Sequence, residues 1–323
     1  MSPIPPIDRR ETDAFRVVHG AADGQPGRYR DRLGEWQLFA GETPPTPAEA
    51  AALLGDAEGP PAVRGVYFKR LLRQVRQTPV EEASPVHLAG EVTPERFTVR
   101  ENGLRFELSF REGYSTGLFL DQRENRRRLL TGQVTDGFTL PAPGPEGPPA
   151  LLNCFAYTGA FSVCAARAGL RTTSLDLSRK YLDWGRRNFE LNGLDPLAHD
   201  FIYGDVFDWL KRLGKKSRTF DVIVLDPPTF SRSPAGDFRA TTDYGRLVSL
   251  ALPLLRPGGV LLASTNAARF PAEDFVAQLR AAVASAGRSV VQEFRAPQPA
   301  DFPVTPEEPA YLKVVWTRVA GAA

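Results

Sequence analysis

The sequence predicts an α/β protein with a doubly wound, mostly parallel sheet, a C-terminal antiparallel hairpin and a small α+β domain in front of them. From about residue 150 onward, short apolar runs alternate with amphipathic helical stretches. Strict alternation implies right-handed crossovers and a parallel sheet that helices cover on both faces. Two β-rich segments then follow each other near the C-terminus. Together these observations predict the fold class.

The predicted strands and helices of this region alternate along the chain. The strands are ALLNCF, TTSLDL, FIYGDV, DVIVLD and GVLLAST, and the helices between them include FSVCAARAG, KYLDWGRRNFELNG, VFDWLKRLG and YGRLVSLALPLLRPGG. The later segments SVVQEFRA and YLKVVWTRV are separated by the proline-bearing loop PQPADFPVTPEEP, which predicts an antiparallel hairpin at one edge of the sheet. The sheet is therefore Rossmann-like and extends beyond five parallel strands.

The first part of the chain has a different pattern of apolar and polar residues. At 323 residues, the chain is long enough for two domains. Within residues 1–113 the segments GRYRDRLGEWQLFA and FTVRENGLRFELSF alternate like exposed strands, and the second contains an Asn102-Gly103 turn signal. Residues 114–150 are predicted to form a connecting helix, LDQRENRRRLLTGQV, and a proline-rich linker. The main domain then covers residues 151–323.

The amino-acid composition limits the classes of protein to which this chain can belong. The 40 basic and 38 acidic residues nearly balance, so any basic surface must be local. Cys154 and Cys164 are too few for a metal cluster or a disulfide framework, and we expect free core thiols and no metal. No apolar run approaches the roughly 20 residues that span a bilayer, and no signal peptide is evident. These features predict a cytoplasmic protein.

The ends of the predicted strands carry the polar residues. Ligands of open α/β sheets bind at the carboxyl ends of the strands, where the strand order reverses. The first strand leads to a glycine turn at Gly159. The carboxylate of Asp176, 17 residues later, stands at the end of the second strand. The ribose hydroxyls of a nucleotide-type ligand would bind at that place. A dinucleotide-binding turn needs small residues at the positions that Phe155 and Tyr157 occupy in this chain. A dinucleotide therefore fits this turn poorly. A nucleoside without phosphate fits better, and S-adenosylmethionine is the commonest one.

Several motifs together resemble a known family. The motifs that carry the resemblance are NCFAYTGAFS, SLDLS, LDPPTFSRS and TGLFLDQRENR. With them the chain resembles class I S-adenosylmethionine-dependent methyltransferases. More narrowly, it resembles the bacterial enzymes that modify 23S ribosomal RNA, which form the cytosine-5 and 7-methylguanosine large-subunit family. FRVVHGAADGQPGRYRD is similar to that family's small domain before the catalytic domain, and ADFPVTPEEPAYLKVV to its C-terminal hairpin. Many relatives start with a pseudouridine-synthase-type RNA-binding domain, which this chain is expected to lack.

The resemblance implies a role for each strand end. The glycine turn would surround the methionine part of the cofactor, Asp176 would bind the ribose and Asp205 would approach the adenine amino group. Taken alone, each aspartate is as well explained as a helix N-cap. The segment TGLFLDQR would close over the methionine carboxylate. The predicted cofactor-binding residues are Gln122, Arg123, Asn153, Phe155, Tyr157, Thr158, Gly159, Asp176, Asp205 and Asp226.

The end of the fourth strand is predicted to be the catalytic segment, with Asp226, Pro227, Thr229 and Phe230 as its residues. Methyl transfer is an in-line displacement, so positioning lowers much of the barrier. Prolines stiffen the turn, the polar groups can bind a purine edge or an amine, and Phe230 offers a face for stacking a base. A simple tight turn with an Asx-type bond would explain Asp226 and one proline, but not why this strand end faces the predicted cofactor.

The target atom is predicted from the absence of a suitable thiol. Methylation of carbon 5 of a pyrimidine requires a cysteine, which in such enzymes follows the fourth or fifth strand. Those places read Pro227-Pro228-Thr229 and Ser264-Thr265-Asn266. The segment STNAARF resembles the branch of the family that makes 7-methylguanosine. A purine nitrogen is therefore favoured, with carbon 5 of cytosine as the lesser alternative.

The predicted partner is ribosomal RNA or a partly assembled large ribosomal subunit. Residues 64–76 hold five bases and no acid, with Tyr67 and Phe68 interleaved, and NRRRLL and KRLGKKSR add further bases. Such clusters suit looped RNA, although a solvated helix face explains each cluster alone equally well. Two competing hypotheses are a methyltransferase that acts on a protein or small molecule, and an inactive RNA-binding relative.

Overall fold

The computed structural model describes residues 6–54, 61–71, 78–145, 147–233 and 236–321. These residues form two compact units. The C-terminal unit comprises Glu124–Gln298 and the chain from Ala310 onward, and the N-terminal unit comprises the chain up to Arg123 together with Pro299–Pro309. The proline-bearing loop between the last two strands therefore belongs to the N-terminal unit.

The N-terminal unit is an α+β structure. Its elements are β1 (Ala14–His19), β2 (Tyr29–Leu33), β3 (Trp36–Gly41), α1 (Pro47–Ala52), β4 (Gly65–Arg70), α2 (Val80–Ala83), β5 (Val86–Gly90), β6 (Phe97–Glu101) and β7 (Leu104–Leu108), with 3-10 turns at Gly20–Asp23 and Leu120–Gln122. Strands β1 to β5 form one sheet in sequence order, and β6 and β7 form a separate hairpin. Asn102 and Gly103 turn that hairpin with φ values of 51° and 77°, as the Asn-Gly signal predicts.

The remaining strands and helices lie in the C-terminal unit, except that the first helix begins one residue before it, at Arg123. They are α3 (Arg123–Thr131), β8 (Gln133–Thr135), β9 (Phe138–Thr139), β10 (Ala150–Cys154), α4 (Ala160–Arg167), β11 (Arg171–Asp176), α5 (Arg179–Leu191), β12 (Asp200–Tyr203), α6 (Val206–Lys215), β13 (Phe220–Leu225), β14 (Phe230–Ser233), β15 (Gly236–Arg239), α7 (Ala240–Ala251), β16 (Leu255–Thr265), α8 (Ala272–Ser285), β17 (Val290–Ala296) and β18 (Lys313–Val319), with 3-10 turns at Pro196–Ala198 and Leu252–Leu254.

The main sheet has the order β12-β11-β10-β13-β16-β18-β17. The first five strands of this order are parallel, and β18 pairs antiparallel with both β16 and β17. Helical crossovers cover both faces, so the central strand β13 is buried on both sides and Val222 through Leu225 are 0% exposed. The prediction of a doubly wound sheet with a C-terminal antiparallel hairpin is confirmed. The strand order reverses between β10 and β13, which marks the ligand-binding edge.

One predicted helix is shorter than its pattern indicated. The segment YGRLVSLALPLLRPGG reads as a helix up to Gly259, but α7 ends at Ala251, a 3-10 turn covers Leu252–Leu254 and β16 begins at Leu255. Pro253 accounts for the change because it has no N–H to donate to an α-helical hydrogen bond. The last residues of the pattern therefore belong to β16.

Among the described parts of the chain, no helix is both long and apolar enough to cross a membrane. The described residues also contain no group of three or more His, Cys, Asp or Glu side chains placed to hold a metal ion. Cys154 and Cys164 are both buried, and neither forms a disulfide.

Candidate active site

The loop between β10 and α4 has an unusual backbone. Phe155, Tyr157 and Gly159 have φ values of 58°, 50° and 74°, a region that residues with side chains rarely adopt. Gly159 is the N-cap of α4, and no side chain caps this helix end. The N–H groups of the first helical turn therefore have no capping side chain and could donate to a polar ligand.

Asp176, at the end of β11, holds this loop in place. Its carboxylate accepts hydrogen bonds from the backbone N–H of Tyr157 at 2.8 Å and of Ser178 at 2.8 Å. The parallel register pairs Cys154 with Leu175, so the residues that follow each strand lie side by side. Burial raises the pKa of Asp176 above its usual 3.8, and the backbone donors oppose that shift. The N-cap of α5 is Ser178, so helix capping is not the role of Asp176.

Helix α5 supports the same loop from its other side. The side-chain amide of Asn188 donates to the carbonyl oxygen of Thr158 at 2.9 Å. Gly185 also lies beside this loop, and a Cβ at that position would make ordinary van der Waals contact, 3.5 Å from the same oxygen and 3.4 Å from Phe201. Beneath the loop, the amide of Asn153 donates to Ser162 at 3.0 Å, while its Oδ1 is buried and has no hydrogen-bond partner among the described residues.

Asp205 caps a helix at the next strand end. Its Oδ1 accepts a hydrogen bond from the backbone N–H of Asp208 at 3.1 Å, at the start of α6. The capping alternative therefore applies to Asp205, and the other carboxylate oxygen keeps its acceptor capacity. The neighbouring strand end adds an apolar surface, since Leu177 is 43% exposed directly after Asp176.

Asp226 is tied to the neighbouring strand. The pairing of Leu225 with Ala263 places Asp226 next to Ser264, whose hydroxyl donates to the Asp226 carboxylate. From α7, the buried hydroxyl of Tyr244 lies 2.8 Å from the carbonyl oxygen of Leu225 and 2.9 Å from that of Ser264. Burial, followed by the charge of Asp226, raises the pKa of Tyr244 well above 10. The ends of β13 and β16 are thus held together by side chains.

The turn after Asp226 is also linked to the segment after β16. The hydroxyl of Thr229 donates to the side-chain oxygen of Asn266 at 2.8 Å. The ammonium group of Lys313 donates to three carbonyl oxygens, those of Ala267 at 3.0 Å, Tyr311 at 3.1 Å and Ala268 at 3.4 Å. Because β18 runs antiparallel to β16 with Lys313 opposite Thr265, this lysine stabilises the segment that carries Asn266.

The predicted stiff turn continues into a short antiparallel hairpin of β14 and β15. Pro227 is buried, while Pro228 and Thr229 are exposed. Phe238 is 1% exposed, and its ring packs against those of Phe155 and Phe207 at centroid distances of 6.2 and 5.7 Å. Phe230, on the other face, is only half-buried. The turn that holds Asp226 is therefore anchored at both ends.

Two predicted cofactor residues lie in the N-terminal unit. Gln122 ends the 3-10 turn at Leu120–Gln122 and is buried. Arg123 is buried and makes a bidentate pair with Asp301, with distances of 2.9 and 2.5 Å. The role of both residues toward the methionine carboxylate stays a prediction. Of the basic segment 64–76, residues 72–76 lie outside the described residues, and within the rest Arg64 pairs with Glu35 and Glu91.

Several supporting residues were not predicted from the sequence. They are Gly185, Asn188, Tyr244, Ser264 and Lys313, and each acts through a neighbour identified only by the three-dimensional pairing of strands and helices. One of them carries a sequence signal. Gly185 stands inside a helical pattern, where glycine costs about 1 kcal/mol relative to alanine, and it marks the face of α5 that packs beside Thr158.

The sheet order and the strand-end residues define a class: an enzyme that binds a nucleoside-type cofactor at the switch point of a doubly wound sheet. Residues 42–318 match the family described as S-adenosylmethionine-dependent methyltransferase. The chain belongs to this family. The predicted family, enzyme class and cofactor are confirmed.

Known proteins similar to this chain agree with the assignment. A ribosomal RNA large subunit methyltransferase of Deinococcus radiodurans is 34% identical, over 96% of this chain and 73% of its own length. Ribosomal RNA large subunit methyltransferase I of Klebsiella pneumoniae is 32% identical over 97% of this chain and 75% of its own length. A methyltransferase crystallised with SAH is 30% identical and superposes with a TM-score of 0.79, covering 95% of this chain and 76% of the other.

Proposed function

We propose that this S-adenosylmethionine-dependent methyltransferase modifies a base of 23S ribosomal RNA in the large ribosomal subunit. The relatives named above, which act on large-subunit ribosomal RNA, support the substrate. The observation that carries the proposal is the target side of the site. There Asp226 and Thr229 are oriented by Ser264 and Asn266, beside the half-buried ring of Phe230. Polar acceptors suit the edge of an unstacked target base, and an aromatic ring beside them suits a neighbouring base of the same strand.

The residues around the glycine turn fit the cofactor. The uncapped first turn of α4 and the unpaired Oδ1 of Asn153 are polar groups that still need partners. Tyr157, Thr158 and Gly159 would hold the methionine part, Asp176 the ribose hydroxyls, and Asp205 the adenine amino group. The apolar side chains of Phe155 and Leu177 would contact the rest of the nucleoside. When bound, S-adenosylmethionine supplies a methyl group on a sulfonium, which is electrophilic.

The protein's own groups support a nitrogen nucleophile. The chain has only two cysteines, and Cys154 is fully buried with a pKa that burial raises. A buried neutral thiol is a poor nucleophile, so neither cysteine suits addition to a pyrimidine ring. A purine ring nitrogen attacks with its own lone pair and needs no covalent help. Asp226 would orient the base by accepting a hydrogen bond from an amino or ring N–H group.

The remaining residues of the turn would restrict the approach of the base. Pro227 and Pro228 limit the backbone of Asp226 and of the turn itself. Holding a nucleophile in line with its target can contribute about 7 to 11 kcal/mol to lowering a barrier. Catalysis here would therefore depend mainly on orientation. With ribosomal RNA or a partly assembled subunit as partner, the enzyme would work in the cytoplasm.

The test is a methyl-transfer assay followed by mapping. Purified protein is incubated with methyl-labelled cofactor and ribosomal RNA from cells that lack the enzyme, and mass spectrometry locates the label. Label on one purine nitrogen of the large-subunit RNA is the expected result. Label on carbon 5 of a cytosine would correct the target atom. Label only on a protein or a small molecule would refute the RNA substrate, and failure to bind the cofactor in calorimetry would refute the enzyme assignment.

A further inference from the structure

The hairpin of β14 and β15 has two faces with opposite character. Phe230 lies opposite Arg239 and Arg232 opposite Asp237, so these four residues share one face, and Phe238 lies on the other. Phe238 is buried against Phe155 and Phe207, whereas Arg232, Asp237 and Arg239 are exposed. The hairpin is thus fixed by its inner face and presents its outer face to solvent.

The outer face combines an aromatic ring with two cations. The guanidinium carbons of Arg232 and Arg239 both lie 5.4 Å from the centroid of the Phe230 ring. Arg239 forms no ion pair among the described residues, although its backbone N–H donates to Asp243 at 2.8 Å. The guanidinium of Arg232 lies 3.7 Å from the carboxylate of Asp237, a long distance for an ion pair, and the two side chains are 76% and 50% exposed. An exposed pair of that length contributes little energy, so both guanidinium groups can take a stronger anionic partner.

We propose that this outer face binds the single-stranded RNA that adjoins the target nucleotide. Guanidinium groups pair bidentately with phosphate oxygens, and a phenyl ring stacks on a base without regard to its sequence. The combination of two arginines around one ring fits a nucleotide better than an acidic peptide, which would not use the ring. Because β14 begins directly after Thr229, a nucleotide on this face would be adjacent to the target base. The inference rests on the proposed RNA substrate.

The same geometry assigns Phe238 as a positioning residue. Its ring contacts Phe155 of the cofactor loop on one side and Phe207, after Asp205, on the other. Replacing it with alanine would remove the inner anchor while leaving both arginines and Phe230 in the chain. The Phe238→Ala variant is therefore expected to bind RNA more weakly without losing a charge.

The experiment measures RNA binding and transfer for matched variants. The probe is protein-free 23S ribosomal RNA from cells that lack the enzyme, and the variants are Arg232→Gln with Arg239→Gln, Phe230→Leu, Phe238→Ala, and Arg280→Gln as the control. Arg280 is an exposed arginine on α8 that pairs with Glu293 at 2.9 Å. Binding is measured over a series of salt concentrations, together with KM, kcat and the Kd of the cofactor.

The double arginine variant is expected to raise KM for RNA about tenfold and to make the salt dependence less steep by roughly 1.4, because each phosphate contact on a single strand contributes about 0.7 to the slope. Its kcat and cofactor Kd should stay within about twofold of wild type. Phe230→Leu should weaken binding about tenfold through loss of base stacking. Phe238→Ala should also weaken binding, because the hairpin loses its inner anchor, and neither change should alter that slope. Arg280→Gln should change nothing.

Three outcomes would overturn the inference, and they are distinguishable. If wild-type enzyme methylates the RNA and the folded double variant keeps the wild-type KM and salt slope, the hairpin is not an RNA-binding surface, while the proposed function stands. If wild-type enzyme binds cofactor but neither binds nor methylates the RNA, the proposed substrate is wrong and the inference fails with it. Equal losses in the Arg280→Gln control would show a general charge effect and refute the assignment to this face.

Discussion

The cofactor side and the target side of the site are held by different kinds of interaction. On the cofactor side, Asp176 and Asn188 bind main-chain groups of the loop between β10 and α4. On the target side, Tyr244 and Lys313 also bind main-chain carbonyl oxygens. The candidate side chains Asp226 and Thr229, however, are themselves held by other side chains, those of Ser264 and Asn266. A loop bound through its main chain keeps its shape when exposed side chains change. The target side, in contrast, depends on the identity of each side chain.

This difference predicts separable effects of substitution. Changes on the cofactor side should alter the Kd of the cofactor and act on every substrate. Changes on the target side should leave that Kd near wild type and alter kcat or the KM for RNA. Four substitutions and one pH series test the distinction, taken from the largest expected effect to the smallest.

The Asp226→Ala variant is expected to lose at least about 100-fold in kcat, because a misplaced target base no longer lies in line with the methyl group. Its free energy of unfolding should fall by no more than about 3 kcal/mol, the upper end of the range for a hydrogen bond to a charged group. Single-turnover assays and urea titration measure the two quantities. The control is Asp221→Ala at the opposite end of β13, where Asp221 pairs with Arg256 at 2.8 Å. A similar loss of transfer in the control would contradict the assignment.

The Asp176→Asn variant is expected to weaken cofactor binding by about 10- to 100-fold. A hydrogen bond to a charged group contributes about 1.5 to 3 kcal/mol, and tenfold in Kd corresponds to about 1.4 kcal/mol. Calorimetry measures the Kd. Asp200→Asn on β12, which removes an ion pair with Arg218, is the control and should bind the cofactor normally. Equal Kd values for the Asp176 variant and wild type would refute the ribose-binding role.

The Lys313→Met variant should lower kcat/KM for RNA about tenfold and leave the cofactor Kd unchanged. Loss of the ammonium group frees the carbonyl oxygens of Ala267 and Ala268, so the segment that carries Asn266 shifts and the target is held less well. Lys313→Arg should restore part of the activity. Lys211→Met, an exposed lysine on α6, is the control. A weaker cofactor affinity in Lys313→Met would break the separation of the two sides.

Cofactor affinity should decrease at low pH through Asp176. Burial raises the pKa of this carboxyl above 3.8, and only the ionised form accepts hydrogen bonds from both ribose hydroxyls. The Kd should therefore rise as the pH falls through the raised pKa, starting at a higher pH than for an ordinary aspartate. Calorimetry over a pH series measures this dependence. The Asp176→Asn variant, which has no carboxyl at this position, should lack that part of the pH dependence.

The Cys154→Ala variant should have the smallest effect on chemistry. Transfer is expected to stay within about threefold of wild type, and the free energy of unfolding should fall by about 1 kcal/mol because a buried side chain becomes smaller. Cys164→Ala, also fully buried, should behave in the same way. Complete loss of transfer in Cys154→Ala with normal cofactor binding would establish a cysteine mechanism and redirect the target atom to carbon 5.

Much of the fold was predictable because strand and helix patterns are local. The run Val222 through Leu225 could only be a strand buried on both faces, and the Asn102-Gly103 turn adopts the conformation that its residues favour. The end of α7 was predicted wrongly because the apolar spacing continues past Pro253, whereas the proline removes the hydrogen bond that the helix needs. The grouping of Pro299–Pro309 with the N-terminal unit depends on contacts far apart in the chain, such as that of Asp301 with Arg16.

The sequence by itself determined the order of strands and helices, the polar residues at the strand ends and the resemblance to methyltransferases, because these depend on spacing along the chain. Only the tertiary structure decided what each polar residue contacts. Strand register places Ser264 beside Asp226 and Lys313 opposite Thr265, and hairpin pairing puts two arginines around Phe230. The two pairs in the main sheet join residues that are 38 and 48 positions apart, and no local pattern carries that information.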